Sequence, residues 1–136
     1  MKTKILVLFI LPLLIACKKK EMEKDMISIV GKWELRTVIN GLTGQKTDYP
    51  NGNGNIIVFT KSNYQNYSGQ KLIKSGTYKI VKEISAITNV MGNRIIYDDE
   101  TDAVRLFIDT HDGNLNLNID AIDGSGTIYK GIENNN

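Results

Sequence analysis

Cys17, His111 and two knots of carboxylates are the residues of this chain with chemistry to offer. Cys17 is the only cysteine and ends the run Leu13-Leu14-Ile15-Ala16-Cys17, an apolar stretch closing on a small residue. That pattern is what a lipoprotein signal peptidase reads: it cuts before the cysteine, whose thiol carries a diacylglyceryl group. His111 is the only histidine and stands beside Asp112. A hydrolytic triad needs a histidine oriented by a carboxylate and facing a nucleophile. Cys17 is committed to lipid, and no serine sits in a Gly-x-Ser-x-Gly elbow. His111 is therefore expected to be a solvated turn residue. One histidine and one committed cysteine cannot build a zinc site.

The carboxylates are the other candidate. Asp98, Asp99, Glu100 and Asp102 crowd one connection, and Asp120 and Asp123 sit near another. Hard oxygen ligands converging there would suit calcium. EF-hand spacing is missing, and ordinary turn chemistry is the expected use. The chain is read as carrying no metal, no cofactor and no catalytic constellation, and so as not an enzyme.

The segment around Cys17 sets the compartment. Lys2 and Lys4 give a positive start, and Ile5 to Ile15 form an apolar core of about 11 residues. A bilayer span needs roughly 20, so this is a signal-peptide core. A single acyl chain holds weakly, at about 0.8 kcal/mol per buried methylene, whereas two or more chains hold firmly. A diacylglyceryl group with a further amide-linked chain such as palmitate makes Cys17 a durable tether. Lys18, in place of an aspartate that favours inner-membrane retention, points to the outer membrane. The expected divisions are residues 1–16 as signal peptide, 17–28 as lipidated cysteine and tether, 29–133 as the folded domain, and 134–136 as a disordered tail.

Cleavage leaves about 120 residues, enough for one core. The net positive charge of the chain leaves with Lys2 and Lys4, and beyond Asp25 there are 11 basic and 12 acidic residues. A near-neutral domain without a basic stripe argues against nucleic acid as partner. The mixed charges from Lys18 to Asp25 fit a solvated spacer.

These candidates hang on short strands. Trp33, Leu35, Thr37 and Ile39 alternate with polar neighbours, and Leu115, Leu117 and Ile119 alternate with asparagines. Further runs are expected at 56–60, 64–68, 77–82, 84–90, 94–97, 104–109 and 127–132. Met91-Gly92-Asn93, His111-Asp112-Gly113 and Asp123-Gly124-Ser125-Gly126 fit tight hairpins. Met22, Met26, Ile29 and Val30 recur at helical spacing, predicting a short helical turn ahead of the first strand. Asn51 to Asn55 is expected to be a flexible loop. Consecutive hairpins without crossover helices fit an all-β, antiparallel up-and-down barrel of about eight strands or a sandwich, and the barrel is preferred because it removes exposed edges without a disulfide.

The order of these elements resembles a known family. A lipobox, a charged tether and Gly31-Lys32-Trp33-Glu34-Leu35 opening the first strand are similar to the start of small bacterial lipocalin-like lipoproteins of the Bacteroidota type. Ser75-Gly76-Thr77-Tyr78 resembles their mid-chain strand. Leu115 to Leu117, then Asp123-Gly124 to Tyr129-Lys130, resembles their closing hairpin. The likeness covers roughly residues 29–132. Thr47-Asp48-Tyr49 matches a motif of true lipocalins but lies too near Trp33 to be the same element. The family's last strand commonly has arginine where Lys130 stands. Lys130 is expected to approach Trp33 where the last strand closes against the first, no more than about 8 Å away and so within reach of a cation–π contact.

An eight-stranded barrel is either just filled by side chains or holds one small ligand. Leu35, Ile57, Phe59, Tyr78 and Ile80 are expected to point inward, as are Tyr97, Leu106, Leu117 and Tyr129. Leu35, Phe59, Tyr78, Tyr97, Leu117 and Tyr129 are the candidate contacts for a small hydrophobic ligand such as a lipid. The alternative is an envelope interaction or inhibitor module with a filled barrel, whose loops at Asn51–Asn55 or Asp98–Asp102 and surface Tyr64 and Tyr67 would touch a partner.

Overall fold

The computed structural model describes residues 26–132. The signal segment, Cys17, the tether to Asp25 and the tail 134–136 lie outside the described residues. Within them the fold is all-β, with strands β1 (Gly31–Ile39), β2 (Lys46–Asp48), β3 (Ile56–Phe59), β4 (Asn63–Ser68), β5 (Lys71–Ile84), β6 (Met91–Tyr97), β7 (Leu106–His111), β8 (Asn114–Ile119) and β9 (Gly126–Gly131). Every pairing is antiparallel, and β9 returns to pair with β1. The result is a closed eight-stranded barrel of β1 and β3 to β9, with the short β2 added beside the second half of β1. Closure removes sheet edges, which a disulfide-free domain would otherwise have to protect. The sequence predicted this architecture, though it missed β2.

Side-chain alternation sorts the wall into two faces. In β8, Leu115 and Leu117 are buried while Asn116 and Asn118 face outward. In β3, Ile57 and Phe59 point in, and Ile56 and Val58 point out. β1 follows the expected pattern only as far as Leu35. The register against β9 runs Trp33↔Gly131, Glu34↔Lys130, Leu35↔Tyr129, then jumps to Thr37↔Ile128. Arg36 is an extra residue, a bulge that flips everything after it. Thr37 and Ile39 therefore join the outer face, contrary to the expected alternation, and Val38 takes the inner one. Thr37 Oγ1 confirms its direction by donating to Asp48 Oδ1 on β2 at 2.8 Å.

The same register corrects the Lys130 expectation. Directly paired residues share a face, so Lys130 lies outside with Glu34, while Trp33 lies inside opposite Gly131. Lys130 Nζ instead donates to the carbonyl of Asp112 at 2.9 Å, bracing the β7–β8 turn. That turn is the predicted one: Asp112 and Gly113 take φ of 50° and 70°, the paired positive values of a type I′ hairpin. Its β6 counterpart was misplaced. Met91-Gly92-Asn93 lies inside β6, and the expected 84–90 strand is the connection itself, with Ser85 capping it through Oγ to the N–H of Ile87 and Thr88. β5 is longer than expected because it serves two partners, pairing with β4 up to Thr77 and with β6 from Tyr78.

One end of the barrel is stoppered by the chain's own entry. Ile29 is 1 % exposed and packs into the core with Phe59, Ile95, Ile108 and Leu115. Trp33 holds it there, its Nε1 donating to the Ile29 carbonyl at 2.8 Å. Residues 26–30 carry no helix, so the expected turn is absent there, and its first residues fall outside the described ones. Ile29 is placed by apolar burial and not by helix propensity, while Val30 next to it stays exposed.

Candidate functional site

The interior is not solid throughout. Away from Ile29, a cavity of about 290 Å³ opens within the barrel, walled by Ile57, Tyr97, Leu106, Leu117, Ile119 and Tyr129. Strands β3 to β9 all contribute to it, through inner-face positions that alternation already assigns. Burial pushes the Tyr97 and Tyr129 phenols above their ordinary range, so both rings stay neutral walls at physiological pH.

Of the expected ligand contacts, Tyr97, Leu117 and Tyr129 line this cavity. Phe59 and Tyr78 do not: they meet edge to face, with centroids 4.9 Å apart, and belong to the packed end of the core. The Tyr78 hydroxyl donates to the Thr60 carbonyl at 2.6 Å. Leu35 is buried on the inner face and borders a smaller recess that shares Asn66 and Tyr129 with the cavity. Trp33 packs against the core and fastens Ile29, a structural role.

The polar groups of the cavity were missed by sequence reasoning. Tyr64, expected at the surface, is 5 % exposed and stacks edge to face on Tyr97, with centroids 4.6 Å apart. Its hydroxyl donates to Asp98 Oδ2 at 2.9 Å, and the N–H of Thr77 donates to Asp98 Oδ1 at 2.9 Å. These donors, Thr77 first and Tyr64 second, hold the Asp98 carboxyl below its ordinary value. Asp98 folds over Gly76 so closely that a Cβ there would lie 1.9 Å from its Oδ1. Only glycine admits that approach. Lys74 lies at the mouth, with its ammonium 3.5 Å from Asp98 Oδ2 and 5.9 Å from the Tyr64 ring centroid. Asn66 pairs with Lys74 in register and lines the same cavity.

The acidic loops do not make a calcium site. Asp98 is bonded as above, Asp99 pairs with Lys79 at 2.6 Å, and Asp120 meets Arg105 at 3.1 Å and the Ser85 hydroxyl at 2.6 Å. Among the described residues no three Asp, Glu, His or Cys side chains gather as ligands. The carboxylates instead pin connections: Arg105 also reaches Glu83, and Arg94 bonds both Glu83 and the Thr101 carbonyl, clamping the β5–β6 hairpin to the outer wall. His111 and Asp112 meet at 3.0 Å with both side chains about four-fifths exposed, in no cleft.

A larger concavity, about 860 Å³, lies outside the barrel across β1, β3 and β4, floored by Ile56 and Val58 and edged by Lys32, Lys61, Tyr67 and the Gly52–Gly54 loop. It is a surface groove and shares no lining residue with the interior cavity. The 51–55 loop expected to be flexible is tied down here by Glu34, which is 4 % exposed. Gly52 and Gly54, each with φ of 75°, aim their N–H groups at the two Glu34 oxygens, 3.1 and 3.4 Å away. Arg36 closes on Glu34 at 2.6 Å. Burial pushes this carboxyl up, but the Gly52 N–H, Arg36 and the Gly54 N–H outweigh it and hold the group below its ordinary value.

Comparison of the chain with protein-family models, with curated proteins and with solved structures found no match.

Proposed function

We propose that this chain is a lipid-anchored protein of the bacterial cell envelope, tethered at Cys17 to the outer membrane, whose lipocalin-like barrel binds a small hydrophobic ligand inside. The observation that carries the reading is the cavity of about 290 Å³ lined by inner-face residues of β3 to β9, with apolar walls and few polar groups at one side. Ligand pockets run from about 300 to 1,000 Å³, so this one takes a compact molecule and not a whole membrane lipid. The leader and Cys17 supply the anchor, and the charged tether to Asp25 supplies the spacer.

A neutral apolar dye, N-phenyl-1-naphthylamine, tests the cavity directly on residues 18–136. That segment contains all nine strands and the whole described core. One saturable site is expected, and Thr127→Phe, placing a ring into the cavity from β9, is expected to abolish it. Dye binding unchanged by Thr127→Phe contradicts the reading.

A second reading, an interaction or inhibitor module, draws on the outer groove, where two of the expected surface features, the 51–55 loop and Tyr67, do come together. Pull-down from envelope extracts that depends on Tyr67 and Val58, with the dye site indifferent, would favour it.

A further inference from the structure

The polar side of the cavity carries information about the ligand's head. Among the inner-face residues that line it, the one full charge is the Lys74 ammonium, and it stands at the mouth with its side chain 59 % exposed. A cation at the rim of an apolar chamber is complementary to an amphiphile with an anionic head and an apolar tail. Its present partner does not hold it tightly. Asp98 already accepts from Thr77 and Tyr64, at 2.9 Å each, and the Lys74 contact at 3.5 Å is longer than either. An exposed pair of this kind is worth at most about 1 kcal/mol; Asp98, whose charge is already shared with the Thr77 N–H and the Tyr64 hydroxyl, stays in place as the competitor that a ligand anion must outdo for the ammonium. Asn66, opposite Lys74 in the β4–β5 register, adds a carboxamide donor on the same wall. The Tyr64–Asp98 bond meanwhile fixes the ring beneath the ammonium, so the head site has a rigid floor.

We infer that the ligand is a compact amphiphile bearing one anionic head group, taken at the mouth by Lys74 with Asn66, its tail lying against Leu106, Leu117 and Tyr129. This rests on the ligand-binding reading above and adds the sign of the head.

The test is a matched series of one tail length, decanoate, decanol and decylamine, titrated calorimetrically into residues 18–136 at neutral pH. Decanoate is expected to bind about fivefold tighter than decanol, the worth of one partly exposed charge contact, and decylamine weakest. Lys74→Met should bring decanoate down to the level of decanol while leaving decanol unchanged, and Lys74→Arg should restore the difference. An unchanged dye-displacement by decanol and an unchanged melting temperature in Lys74→Met show that fold and cavity persist. Equal binding of decanoate and decanol, or an advantage of decanoate that survives in Lys74→Met, overturns the head-group inference and leaves the cavity reading standing. No binding by any of the three, together with no dye site, overturns both.

Discussion

Trp33 reaches back four residues along its own chain and donates its indole N–H to the Ile29 carbonyl at 2.8 Å. That one bond converts the entry segment into the stopper of the barrel. It seats Ile29 at the end of the barrel opposite the cavity. Without the stopper, Phe59 and Leu115 would meet water.

Ile29→Ala should therefore cost about 2–4 kcal/mol, the range for truncating a fully buried aliphatic side chain. Trp33→Phe keeps most of the apolar contact and orphans the Ile29 carbonyl, at about 1 kcal/mol. Urea unfolding of residues 18–136 measures both. An Ile29→Ala protein as stable as the parent would mean the stopper does not seat.

Glu34→Gln should loosen the 51–55 loop. Both Glu34 oxygens face backbone N–H groups, and an amide nitrogen would confront one of them. A loss of about 1–3 kcal/mol is expected for a buried acceptor turned donor. Faster hydrogen exchange confined to Gly52–Asn55 is the accompanying signature. Exchange there already fast in the parent protein would contradict it.

Acid should weaken the barrel. Asp98, held down by the Thr77 N–H and then Tyr64, and Asp120, held down by the Ser85 hydroxyl and then the Ala86 N–H, sit below an ordinary value of 3.8. Glu83, beside Arg94 first and Arg105 next, and Glu34 sit below 4.5. A carboxyl lowered in the folded state stabilises fully above its unfolded value and loses that contribution as pH falls through its folded value. The urea midpoint should therefore be level from neutrality to about pH 5 and fall steadily below about pH 4. Asp98→Asn should flatten part of that fall. A midpoint that rises on acidification would have the sign wrong.

The anchor has its own test. Cys17→Ser removes the only thiol of the chain. The protein should move from the membrane to the soluble fraction after cell fractionation, and metabolic labelling with a palmitate analogue should disappear. Membrane association that persists in Cys17→Ser would remove the tether from the account.

How far the sequence carried depended on local signals. Leu115, Leu117 and Ile119 announced β8 because asparagines separate them, and Asp112-Gly113 announced its turn because that pair tolerates positive φ. Arg36 gave no warning: a bulge is set by how β1 must bend to close on β9, which no property of arginine reveals. The head of the cavity was hidden by a boundary error. With β5 started at Thr77, Lys74 looked like loop. Started at Lys71, the same period-two count puts Lys74, Gly76, Tyr78 and Ile80 on one face. Tyr64 and Asn66 follow from the equivalent count in β4. Gln70 turns the chain with φ of 70°, a conformation glutamine seldom advertises. Asp98 is a different case, since its value lies in bonds to Tyr64 and Thr77 that only the closed barrel brings together.

A ligand-binding barrel must be able to carry a molecule in its cavity. Residues 18–136, incubated with a lipid extract of the bacterial envelope, separated from the excess and sprayed under native conditions, should carry a single adduct of defined mass. Denaturation should release it as a small anionic amphiphile, and Thr127→Phe should emerge without it. A parent protein at its bare mass, which also fails to take up decanoate or decanol when they are supplied, would contradict the account.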